Sequence, residues 1–261
     1  MHPDPAVTAG EARSGSADHL AYRSDQLQKG DKSMTKRMML LALSIVSAVV
    51  FALPAIASAT PAHISATENF TVSKGAAVGN FVWETTAGER TECLNGVTGS
   101  GNWHSTTTGT LTLEFNECRA VTPFGNLNCT THSAEGGTPV ANQIRTTVLE
   151  FHLIMIEPNR PGILLTPNTD TGVFAHYTCG GGLIQKTLVG NGIIGTITSP
   201  ECGVVSTTAT LKFEQGASTG IQKHTTWTGV NYHLEKPAGT KAALIGEARL
   251  HFAAAKSFIC T

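Results

Sequence analysis

The sequence predicts an all-β domain, an antiparallel β-sandwich or jelly-roll with a closed β-barrel as the alternative, following a cleaved signal peptide. Three observations predict it. Short segments alternate apolar and polar residues with a period of two, the pattern of half-buried strands. Long helical periodicity is absent. Gly, Asn and Pro punctuate the segments, and many short strands joined by such turns favour sandwiches and barrels.

Residues 1–33 are polar, poor in aromatics and without a hydrophobic repeat. They cannot bury enough apolar surface to offset the entropy of ordering them, so they read as disordered or as a misassigned start. Next come Met34-Thr35-Lys36-Arg37, an uncharged run over 38–53, Pro54, and the small-residue sequence Ala55-Ile56-Ala57-Ser58-Ala59. That is the order of a signal peptide, spanning 34–59, with cleavage after Ala59 favoured and after Ala57 second. Retention as a membrane anchor is the competing reading, because a spanning helix needs roughly 20 apolar residues. The second half of this segment is rich in Pro and Ala rather than Leu and Ile, which favours cleavage. Residues 60–261 then form a single exported β domain, whose membrane contact is limited to passage through the signal peptide.

Within the domain, strands are expected at 70–74 and 80–85, ahead of the clearest alternation, Leu111-Thr112-Leu113-Glu114-Phe115. Segment 148–156 differs, with Leu149, Phe151, Leu153 and Met155 giving one wholly apolar face suited to a central strand. Further strands are expected at 162–166, 173–179, 183–189 and 193–198. Gly190-Asn191-Gly192 joins the last two, and residues tolerant of positive φ read as a hairpin turn. Alternation resumes at 209–214, 230–235 and 248–252. Such one-sided segments build an antiparallel sheet with one wet face.

All six cysteines, Cys93, Cys118, Cys129, Cys179, Cys202 and Cys260, follow the expected cleavage point. An even count confined to an exported domain reads as three disulfides. Cys118 and Cys129 close the shortest loop around a turn-like Pro123-Phe124-Gly125-Asn126, which favours that pair, at about 3 kcal/mol of loop entropy. A bridge at Cys260 pins a terminus that otherwise frays. There is no Cys-x-x-Cys, and the close cysteine–histidine spacings are limited to Cys129 with His132 and Cys179 with His176. Neither a metal nor a cofactor is expected.

From Thr60 onward, 12 Lys and Arg face 14 Asp and Glu. That balance argues against a nucleic-acid partner, whose phosphates demand a basic face. Asp170 is the sole aspartate there, which argues against calcium-binding loops. The serine-hydrolase elbow, the zincin helix and the phosphate loop are all missing.

Two sets of residues remain as site candidates. Glu150 and His152 lie two apart on one strand face, so their side chains point the same way and could serve as acid and base. Alternation places such pairs on many solvated faces, including Glu247, Arg249 and His251. Trp103 and Trp227 sit in polar stretches and are candidate platforms for stacking a sugar ring, although such rings equally serve as lids over a core.

The cationic signal start, Glu92-Cys93 followed by Gly96-Val97-Thr98-Gly99, the run from Gly109 through Leu113-Glu114-Phe115-Asn116-Glu117-Cys118, and Cys179-Gly180-Gly181-Gly182 can be read together. In these features the chain resembles a group of uncharacterised secreted Thr/Gly-rich proteins of soil actinobacteria. The resemblance implies a compartment and carries no activity or site residues. The reading is a non-enzymatic cell-surface or extracellular module, structural or binding. Carbohydrate or an envelope polymer is the first partner to test. The rival is a secreted hydrolase using Glu150 and His152.

Overall fold

The computed structural model describes residues 62–75, 80–131, 139–167, 172–237 and 239–260. The expected signal peptide at 34–59 and the segment 1–33 lie outside the described residues. In chain order the first strands are β1 (His63–Ile64), β2 (Asn69–Lys74), β3 (Phe81–Thr85), β4 (Arg90–Cys93), β5 (Val97–Trp103) and β6 (Thr108–Asn116). Next come β7 (Cys118–Thr122), β8 (Gly125–Thr131), β9 (Gln143–Arg145), β10 (Leu149–Glu157), β11 (Arg160–Pro167) and β12 (Val173–Cys179). The last are β13 (Ile184–Gly190), β14 (Ile193–Ser199), β15 (Ser206–Phe213), β16 (Leu234–Lys236), β17 (Thr240–Lys256) and β18 (Phe258–Ile259).

The all-β class holds, and its architecture is the closed barrel rather than the sandwich or jelly-roll. Strands β15, β14, β11, β10, β6, β5, β2 and β17 pair in that order, and β17 returns to β15. This closes an eight-stranded antiparallel barrel. The remaining long pairings run β17, β16, β13, β12, β8, β7, β4, β3 and return to β17. A second closed ring therefore shares one strand with the barrel. Closure removes the free edges that a sandwich would leave.

The shared strand makes this possible by its length of 17 residues. Its Ala242–Ile245 stretch pairs with β3, whereas Ala248–Phe252 pairs with β2. Between them lies Gly246, with φ of 151° and with a hypothetical Cβ only 2.5 Å from the Phe81 ring. A side chain there meets both a backbone penalty and a core aromatic. The sequence alternation marked only the 248–252 part of this strand. The expected strand over 230–235 survives only in its last two residues, at the start of β16, because Val230–His233 belongs to a loop.

Alternation in β6 buries Leu111, Leu113 and Phe115, and in β10 Leu149, Phe151 and Leu153. These side chains fill the barrel. The space left among Phe70, Leu111, Phe213, Leu250 and their neighbours is about 10 Å³, roughly what one water needs. The barrel is thus a packed core, not a ligand chamber. Glycines on the inner face admit the aromatics: a Cβ on Gly101 would lie 2.2 Å from Phe70, and one on Gly109 would lie 2.4 Å from Phe151.

All six cysteines are paired, as Cys93–Cys118, Cys129–Cys179 and Cys202–Cys260. The favoured Cys118–Cys129 pair does not form. The β7–β8 register sets Arg119 opposite Asn128, so one further step brings Cys118 opposite Cys129. Each instead bonds outward, Cys118 to its partner on β4 and Cys129 to its partner on β12. The third bridge ties the penultimate residue, Cys260, to Cys202, as expected of a bridge near that end. Three disulfides in an all-β domain fit an oxidising compartment such as the extracellular space.

Candidate functional site

The outer face of the barrel carries a shallow groove across β17, β2, β5 and β6, with a volume of roughly 680 Å³. Strand register builds it. His251 stands opposite Thr71, Thr71 opposite Ser100, and Ser100 opposite Thr112. One row along, Asn69 faces Asn102, which faces Thr110. Inward neighbours in these strands are Phe70, Gly101 and Leu111, so the period of two sends the hydroxyls and amides outward. Among the described residues, Thr71, Ser100, Asn102 and Thr112 donate no side-chain hydrogen bond to another part of the protein. His251 Nε2 lies 2.7 Å from Ser73 Oγ. Val148, which is 51% exposed, adds an apolar surface at the groove wall.

Thr110 also lines a second hollow of roughly 250 Å³, which contains Glu150 and His152. The two predicted residues do share a face, with Glu150 Oε2 3.9 Å from His152 Nε2, and both are partly open to water. His104 joins them, held by Thr110 Oγ1 at 3.0 Å. Glu150 is the one acid lining this hollow. Hydrolysis of a glycoside by paired carboxylates requires a second acid across the site, and among the described residues none lines it. Among the described residues, no group of three His, Cys, Asp or Glu side chains is placed to hold a metal.

The two tryptophans separate. Trp103 is not a platform: it is 4% exposed and stacks edge-on against Phe151 with centroids 4.5 Å apart. Its polar neighbours in the sequence are outward positions and its glycine neighbours make room for core rings, so polarity around it misleads. Trp227 is 46% exposed on a turn whose backbone is fixed by its N–H donating to Met155 O. The turn closes through Thr226 Oγ1, which accepts from the Val230 amide. Beneath this loop, Ile156, Leu164 and Ile194 form a small outer cluster covered by Tyr232.

The same loop is anchored electrostatically. Glu214 receives Lys212, Lys223 and His224 at 3.1, 3.2 and 3.3 Å. Burial alone would raise the Glu214 carboxyl, but these three donors outweigh it and bring it down to about 2. Burial holds His224 below the usual imidazole range, against the pull of Glu214. Buried Gln222 accepts from the Leu244 amide and donates to Glu214 O, tying the loop to β17.

No family model, curated protein or solved structure matches the chain. Strand register builds the groove and the Glu150–His152 hollow, whereas loop hydrogen bonds to Met155 and within 226–230 hold the Trp227 turn. The row Thr71, Ser100 and Thr112 escaped sequence reading because its members lie on three strands and meet only through pairing.

Proposed function

We propose that the chain is an exported, non-enzymatic module of the cell surface or extracellular space that binds an extended, uncharged polyhydroxylated chain, carbohydrate in the first instance, along the outer groove. The observation that carries this reading is the double row of hydroxyls and amides, in which Thr71, Ser100, Asn102 and Thr112 present side-chain donors and acceptors to water. Neutral polar side chains beside a modest apolar wall suit a sugar, which offers hydroxyls on its edge and C–H groups on its faces. Among the described residues Glu150 has no second carboxylate across its hollow, which supports binding rather than hydrolysis by paired acids.

The test is retention on immobilised neutral glycan polymers and on a glycan array, using oxidised protein. Asn102→Ala and Thr112→Val should weaken retention by about tenfold, the loss of one to two hydrogen bonds. Trp227→Ala should weaken it only if the chain runs on past the Glu150 hollow. Retention that is unaltered by both groove substitutions, or release of reducing ends that disappears in Glu150→Gln, would overturn the reading.

A further inference from the structure

Four turns of the second ring gather at one of its ends. Arg90 stands opposite Val121, Thr85 opposite Ala242, and the Gly180 amide donates to Asn128 O. These pairings bring together the turns between β3 and β4, β7 and β8, β12 and β13, and β16 and β17. A hollow of roughly 290 Å³ opens among them.

Its polar floor is Lys186, Lys236 and Glu89. Lys186 is 8% exposed, with Nζ 3.4 Å from Thr91 Oγ1 and 3.6 Å from Glu89 Oε2. Lys236 Nζ lies 2.8 Å from both Glu89 oxygens. Glu89 is the one acid among the eleven described lining residues, so two ammonium groups face one carboxylate. A net positive charge in a partly dehydrated hollow is costly and attracts an anion. Burial pushes the Lys186 ammonium down, while hydrogen bonding from Lys236 holds the Glu89 carboxyl below its usual range.

The rim has the opposite character. Phe124 is fully exposed at the β7–β8 tip, Leu183 is 80% exposed at the β12–β13 tip, and Val121 is 41% exposed beside them. Pro123 and Ile184 carry the apolar surface into the hollow. Apolar side chains offered to water at two adjacent tips indicate a contact surface. Cations at depth and hydrocarbon at the mouth match a ligand with a charged head and an apolar tail.

We propose that this end of the second ring binds an anionic amphiphile, its carboxylate or phosphate head between Lys186 and Lys236 and its alkyl tail along Val121, Phe124 and Leu183. The head competes with Glu89, whose half-exposed side chain stands on the turn between β3 and β4 and must give up its contacts with Lys236 and Lys186 to admit it. The site belongs to the second ring and is separate from the glycan groove, so either can fail without the other.

Calorimetric titration of the oxidised chain tests it, with decanoate and decyl phosphate below their micelle concentrations, inorganic phosphate, and neutral decyl maltoside. Decanoate and decyl phosphate should bind one per chain, inorganic phosphate at least about tenfold more weakly, and the maltoside not measurably. Lys186→Met and Lys236→Gln should each weaken both amphiphiles by about tenfold or more. Glu89→Gln should tighten them several-fold by removing the competing carboxylate, and it keeps the test open should Lys186→Met fold poorly. Phe124→Ser should weaken decyl phosphate and leave inorganic phosphate unchanged. Equal binding of the maltoside, phosphate binding as tight as that of decyl phosphate, or indifference to Lys236→Gln and Glu89→Gln would overturn the site. Sedimentation with phosphatidylglycerol vesicles, without binding of monomeric decyl phosphate, would overturn it in favour of a flat lipid surface.

Discussion

Glu214 gathers Lys212, Lys223 and His224 around one carboxylate at the foot of the Trp227 loop, and this makes the loop's anchorage acid-sensitive. The group titrates at about 2 in the folded chain against an ordinary 4.5. A lowered carboxyl contributes stability that is complete above about 4.5 and lost as pH falls toward about 2. His224, held below its ordinary 6.5 by burial, adds a loss in the same direction as pH falls below that value. With solvent screening allowed for, the Glu214 share is on the order of 1–2 kcal/mol. Thermal midpoints should therefore fall with pH in two stages, beginning below about 6.5 and steepening below about 4.5. Glu214→Gln should shrink the second stage, and an unchanged acid profile in that variant would count against the anchorage. At this scale the sequence reading is uneven for a physical reason. Same-face placement of Glu150 and His152 follows from strand periodicity alone. The burial of Trp103 depends on Gly101 and Gly109 clearing space for Phe70 and Phe151, which no local pattern reveals.

Among elements, the β7–β8 hairpin shows most clearly what local sequence can and cannot resolve. Turn residues at Pro123 and Phe124 are legible, and the hairpin does set Cys118 beside Cys129 in register. The choice of partners depends on β4 and β12, which flank the hairpin from distant parts of the chain. Strands such as β5, with Gly99 and Gly101 in its middle, are likewise hidden, because inward glycines break the alternation of large apolar residues. Four half-cystines consequently line up across β4, β7, β8 and β12. Non-reducing digestion should yield peptides joining Cys93 to Cys118 and Cys129 to Cys179, and a peptide joining Cys118 to Cys129 would contradict this ladder. Replacing Cys129 and Cys179 with Ser frees a loop with a sequence separation of 50 residues. The loss in denaturant unfolding should be about 4 kcal/mol by loop entropy. A loss below about 1 kcal/mol would mean that the β8–β12 pairing survives without the bond.

For the whole molecule, ring closure is the property least visible in the sequence, since pairings such as β2 with β17 join residues almost 180 positions apart. It also dictates how the molecule should unfold. Two rings that merely shared a strand could melt one at a time, with β17 acting as a tether. The packing argues otherwise. Phe115 of the barrel meets Phe81 and Trp83 of the second ring at centroid distances of 5.2 and 4.8 Å, and both rings contribute to one continuous core. Melting the second ring would strip Phe115 of both partners and free the Gly246 end of β17, on which the β15 and β2 pairings depend. The barrel should not survive that loss, and unfolding should be a single transition. Trp103 reports on the barrel and Trp83 on the second ring, so variants retaining one or the other, with Trp227 and the remaining ring replaced by Phe, separate the signals. Both should show the same denaturant midpoint. Distinct midpoints, with Trp83 fluorescence changing before that of Trp103, would show that the second ring opens alone and that β17 does not couple the two.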